Sequence, residues 1–190
     1  MITTPSRITA DIRRMCHRRI QNVDAPIFVA VSPRADSKIN DCFHTVRQQV
    51  AEHGGSIQHG WTIWESPGIY LEAEFHAVWR SPDGRLLDVS RKLEKEQQIV
   101  FSADHVRVFS GRRMDNIRMA LSNDPRVTEL LDIFDWLHAI LKEQGKDVPI
   151  GGEISLSEDA TQQLACLRER ANQLLHELSN SRRVQRARKA

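Results

Sequence analysis

The sequence predicts an α+β fold: a largely antiparallel sheet with a preceding helix, followed by a C-terminal helical hairpin. Three observations predict it. Between residues 56 and 102, apolar and polar residues alternate in runs broken by short Pro/Gly turns, the pattern of consecutive strands. From about residue 113 the apolar spacing changes to three and four, which is the helical period. Hydrophobic residues make up 40% of the 190-residue chain, enough to bury a core, so wholesale disorder is excluded.

The elements follow in order. Ile8, Ile12, Met15 and Ile20 approximate helical spacing, so residues 6–20 read as a short basic helix with a solvated charged face. Ile27-Phe28-Val29-Ala30-Val31, bounded by Pro26 and Pro33, reads as a buried strand or extended segment. Residues 32–39 are a loop. Phe43, Val46 and Val50 predict a helix over 40–53, with Asn40 or Asp41 as N-cap and Gly54-Gly55 as its stop. Cys42 then sits in the first turn.

Residues 56–65, 69–80, 85–90 and 98–102 are strand segments. Ser66-Pro67-Gly68 and Ser81-Pro82-Asp83-Gly84 supply turns between the first three. Residues 113–122 read as a short helix, and Asp124-Pro125 opens a longer one to about 144. A Gly/Pro loop at 145–152 leads to a last helix that starts near Ser157 and runs past Leu178. The chain ends in a basic tail, 181–190, expected to fray. Residues 1–110 are therefore expected to form the α+β core and residues 111–190 a helical extension.

Charge and composition narrow the function classes. Against 25 Asp and Glu stand 27 Lys and Arg, so nucleic acid is not expected as a partner. The three cysteines are widely spaced with no Cys-Xaa-Xaa-Cys, which argues for reduced thiols and a cytoplasmic setting. No segment has the length of a membrane span, and the polar N-terminus lacks a secretory apolar stretch. Signal-independent export, as bacterial effectors use, stays open. No phosphate loop or dinucleotide fingerprint is present, and no cofactor is expected.

The chemistry centres on three residues. Alternation along residues 69–80 puts Ile69, Leu71, Ala73, Phe75, Ala77 and Trp79 on a core face. The other face carries Tyr70, Glu72, Glu74, His76, Val78 and Arg80, and is solvated or lines a cleft. Asp88 lies on the next strand; with a turn near 82–84 the two residues can lie close, in a register the sequence leaves open, and an acid there can orient the His76 imidazole and stabilise its cation. Helix N-termini favour thiolates, so Cys42 is the matching nucleophile. The roles are nucleophile at Cys42, general acid/base at His76 and orienting acid at Asp88. The backbone N–H of Cys42 is the natural first oxyanion donor, with Gln58, His59 or Asn40 as a second.

The order of a helix-start cysteine, a strand histidine and an aspartate on the following strand resembles the papain-like and transglutaminase-like superfamily. Glu74-Phe75-His76-Ala77-Val78-Trp79, followed by Pro82-Asp83-Gly84 and Leu87-Asp88-Val89, looks like its core pattern over residues 38–90. The resemblance implies acyl transfer on the amides of a protein or peptide substrate: hydrolysis, deamidation or crosslinking.

Two other readings stand beside it. His44, His53, His59, His76, Cys42 and Glu74 could be gathered around a metal, but their spacing is not that of a structural zinc site, and no metal is expected. A non-enzymatic binding or regulatory protein, or a pseudo-enzyme, would present the helical hairpin to a partner. Homodimerisation through those helices is the common way to cover such a surface.

Overall fold

The computed structural model describes residues 2–112, 114–146 and 153–187, with side chains in the last helix described to residue 182. Residues 147–152 of the expected loop, and most of the expected basic tail, lie outside the described residues or side chains. The chain divides into two compact units. One comprises Met1–Pro67, Leu71–Ser110 and Met114–Met119; the other comprises Gly68–Tyr70, Gly111–Arg113 and Ala120–Ala190.

The first unit opens with helix α1, Ala10–Met15, whose N-cap Thr9 accepts from the Ile12 N–H at 3.3 Å. Its last turn widens into a π-helical segment, Cys16–Ile20, closed by the Gln21 N–H donating to Cys16 O at 3.0 Å. Ile12, Met15, Cys16 and Ile20 form its buried stripe. Strand β1, Ile27–Val31, follows, and then helix α2, Cys42–His53, on which Cys42, Thr45, Val46 and Gln49 are buried. The helix stops at Gly54, whose positive φ of 69° reverses the chain while its N–H still donates to Val50 O at 2.9 Å.

The strands β2, Ser56–Ser66, β3, Tyr70–Arg80, β4, Leu86–Asp88, and β5, Gln98–Ala103, fall where alternation and turn chemistry predict them. Their assembly goes beyond that pattern. The sheet order is β2-β5-β1-β4-β3, and β2 also pairs with β3, so the five strands close on themselves. The sheet is mixed: β1 runs parallel to β4 and antiparallel to β5, while β2–β5 and β3–β4 are antiparallel.

Closure corrects the expected exposure of β3. Val78 packs with Val29 of β1 and with Ile99, Phe101 and Ala103 of β5, strands that are not its sheet neighbours. The polar face of β3 thus points into the ring. The opposite face, with Ala77, packs beneath Val46, Phe43 and Val50 of α2. Of the two tryptophans of β2, Trp61 is fully buried and donates to buried Asp104 at 3.0 Å, while Trp64 is partly buried, packs against the interior cluster and donates to Glu74 at 2.8 Å.

The described residues 114–122 do not form the helix expected over 113–122. Ile117–Ala120 is a strand, β6, added to β3, with Arg118 bonded to Glu72 at 2.7 Å. A segment this short gains little from helix nucleation and more from an available strand edge.

The second unit holds α3, Pro125–Gln144, and α4, Glu158–Ala187. Asp124 caps α3 by accepting from the Arg126 N–H at 3.0 Å, and Pro125 occupies its first turn. Arg126 at the start of α3 reaches Ser181 near the end of α4, while Gln144 at the end of α3 accepts from Ser157 just before α4. The helices are therefore antiparallel, as expected of a hairpin. The helical backbone continues to Ala187, into the stretch expected to fray. No helix is long and apolar enough to cross a membrane among the described residues.

Candidate functional site

Each site residue is held by a separate device. The turn after β3 closes with the Gly84 N–H donating to Ser81 O at 2.8 Å and the Ser81 N–H donating to Arg85 O at 2.9 Å. This sets the β3–β4 register, with Trp79 opposite Leu87 and Arg80 opposite Leu86. Continued by one step, that register puts Asp88 across from Val78, with His76 on the same face two residues along. Diagonal neighbours on antiparallel strands are within reach of long side chains.

The contact is made. His76 Nε2 lies 2.9 Å from Asp88 Oδ2, and the residues are 4% and 0% exposed. The Ser90 N–H donates to the other carboxylate oxygen, Oδ1, at 2.9 Å.

Cys42 is the first residue of α2 and is 9% exposed. Asp41 occupies the N-cap position without a side-chain capping bond. Two aromatic residues bring this helix start to β3. Phe43, next to Cys42, and Phe75, next to His76, have ring centroids 5.9 Å apart, and Phe109 stacks on Phe43 at 3.8 Å. The loop before α2 is pinned as well. Arg34 bonds Glu52 at 2.8 Å and Gln49 at 3.0 Å, and the backbone N–H groups of Ser32 and Arg34 donate to Asp88 O and Val89 O.

One member of the cluster has no signal in the sequence. Lys92 Nζ lies 2.5 Å from Asp88 Oδ2 and 3.2 Å from His76 Nε2, with its side chain 9% exposed. It sits in Ser90-Arg91-Lys92-Leu93-Glu94-Lys95-Glu96, a charged stretch that looks like a solvated loop. Ser90 Oγ, also buried, has no hydrogen-bond partner among the described residues.

The electrostatics follow from these contacts. Burial and the Lys92 charge disfavour the imidazolium, but the Asp88 carboxylate and the Cys42 side chain outweigh them and push His76 up to about 10. Burial opposes ionisation of Asp88 too; His76 and Lys92 overcome it and hold the carboxyl well below the usual range. The pair is therefore an imidazolium–carboxylate ion pair near neutral pH.

No protein-family model, curated protein or solved structure matches the chain.

The other residues that the sequence suggests for this chemistry fare differently. Gln58 is committed elsewhere: its Nε2 donates to His59 O at 2.8 Å and its Oε1 accepts from Arg80 at 2.7 Å, so it is not free to serve as an oxyanion donor. The His59 ring stacks on Phe75 at 6.0 Å, and Asn40 is exposed in the loop before α2 with a φ of 61°. Among the described residues, no three His, Cys, Asp or Glu side chains are grouped as metal ligands. An open cleft of about 460 Å³ lies between the loop after β1 and the far half of α2. It is lined by Arg34, Gln49, His53, Trp79, Leu87 and Val89, and holds none of Cys42, His76 or Asp88.

Proposed function

We propose that this chain is a thiol-dependent acyl-transfer enzyme acting on amide bonds of a protein or peptide. The observation that carries the reading is the buried 2.9 Å His76–Asp88 pair, with Cys42 at the start of the helix that packs against β3. The resemblance to the papain-like and transglutaminase-like superfamily supports it, since the three residues occur in that order on those elements.

Asp88 holds His76 at Nε2, which leaves Nδ1 to exchange a proton with Cys42. The thiolate attacks the amide carbon, and the oxyanion that forms is met by the N–H groups of the first turn of α2, which have no acceptor within the helix. His76 gives its proton to the departing amine as the C–N bond breaks, leaving a thioester on Cys42. Water or an acceptor amine then attacks the thioester, His76 takes its proton, and the thiol is released. With water as acceptor, a backbone amide gives hydrolysis and a side-chain amide gives deamidation; an acceptor amine gives crosslinking.

The test uses a substrate-independent acyl donor, p-nitrophenyl acetate. The protein is expected to release nitrophenolate and carry one acetyl group on Cys42, located by peptide mass mapping. Cys42→Ala should take none, and His76→Ala should be slower by about 100-fold or more. An acetyl group that settles on Cys166 or surface lysines, with Cys42 untouched, overturns the proposal.

A further inference from the structure

Asp88 is wholly buried and, to orient His76, must stay ionised. While His76 is protonated the two charges cancel. When His76 gives its proton away, Asp88 would become a lone buried anion, a state that a protein interior strongly disfavours. The carboxylate would then hold the proton on His76 instead of letting it go.

Lys92 answers this problem by position. Its Nζ is 2.5 Å from the same Asp88 oxygen that His76 meets, against 3.2 Å to His76 Nε2. The shorter contact is the charge-assisted one, so the ammonium belongs to the carboxylate. This matters for the tautomer. A proton donated by Lys92 to Nε2 would leave the imidazole hydrogen on Nδ1, the nitrogen proposed to face the thiol. Lys92 donating to Asp88 keeps Nε2–H on the carboxylate side.

We infer that Lys92 is a positioning residue of this site, the fixed counter-charge that keeps Asp88 ionised whichever proton His76 carries. In the acyl-enzyme of the proposed reaction, where His76 has given up its proton, Lys92 and Asp88 still cancel each other. The groups that act on His76 are Asp88 of β4, Lys92 of the following loop and Cys42 of α2. The inference deepens the thiol reading and rests on it for its catalytic meaning, while the charge balance can be measured without it.

The experiment follows the ring carbon–proton signal of His76 by NMR, assigned with His76→Gln. It is run in the Cys42→Ala background, where loss of a side chain that favours the imidazolium brings the titration to lower pH. Lys92→Met should raise the His76 midpoint by about one pH unit or more, because a cation opposing the imidazolium is gone. Lys92→Arg keeps the charge and should stay within about half a unit of the parent. With Cys42 present, the basic limb of the acetylation profile should shift upward in Lys92→Met. If Lys92→Met fails to fold, Lys92→Gln reads the same shift with a neutral polar side chain. A folded neutral variant with an unmoved midpoint overturns the inference, as does a Lys92→Arg shift equal to that of Lys92→Met. If Cys42 takes no acetyl group but the midpoint moves, the thiol reading fails and the role of Lys92 in the charge balance stands.

Discussion

Replacing Asp88 with asparagine is expected to destabilise the protein by about 3–5 kcal/mol, the range seen when one partner of a buried ion pair is removed. Asp88 is 0% exposed and accepts from three donors: His76 Nε2, Lys92 Nζ and the Ser90 N–H. The amide cannot satisfy this set. It strands the Lys92 ammonium and His76 beside each other with no anion between them. The cost therefore comes mainly from charges left behind, not from the lost hydrogen bonds. A second variant separates the two. Asp88→Asn combined with Lys92→Met removes the stranded ammonium as well as the carboxylate and should recover a large part of the loss. Urea unfolding of the single and double variants measures this. A single variant within about 0.5 kcal/mol of the parent would contradict the ion cluster.

Stability should also depend on pH in a window set by the same pair. His76 is raised from its ordinary 6.5 to about 10, so its contribution is fully present below 6.5 and is lost as pH rises through 10. Asp88 is shifted down from 3.8, so its contribution is present above 3.8 and is lost as pH falls through its depressed folded-state value. The pair is at full strength between about 4 and 6.5. Between 6.5 and 10 the unfolding free energy should fall by an amount on the order of 2–4 kcal/mol. His76→Gln should flatten that part of the curve, since nothing remains there to release the proton. Urea midpoints measured across the range check both points. Equal slopes for the parent and His76→Gln would show that the ion pair does not form.

Local order is written plainly in this chain. The Pro/Gly turns delimit β2, β3 and β4, and alternation with a turn near 82–84 lets His76 and Asp88 lie close on neighbouring strands, though their register is not readable from sequence. Their environment is harder to see. Alternation gives two faces to β3 but does not say that both are covered, and ring closure depends on β1 pairing between β4 and β5, contacts far apart in sequence. The polar face of β3 therefore reads as solvent- or cleft-facing, whereas it points inward. The segment ending in Ile117–Ala120 shows the opposite problem, since a short ambiguous run is decided by the strand edge beside it. Lys92 is invisible for another reason. Nothing in a run of lysines and glutamates marks the one whose ammonium folds back onto a buried carboxylate.

Whether Cys42 works with the His76–Asp88 pair is tested most directly by the reactivity of the three cysteines. Iodoacetamide labelling at mildly acidic pH, with peptide mapping over time, compares Cys42 at 9% exposure with the exposed Cys166 and the buried Cys16. Accessibility alone favours Cys166. A thiolate held by the His76 imidazolium predicts that Cys42 is labelled first and that His76→Ala abolishes its lead. Labelling of Cys166 first, with Cys42 reacting only once the protein unfolds, would contradict that partnership.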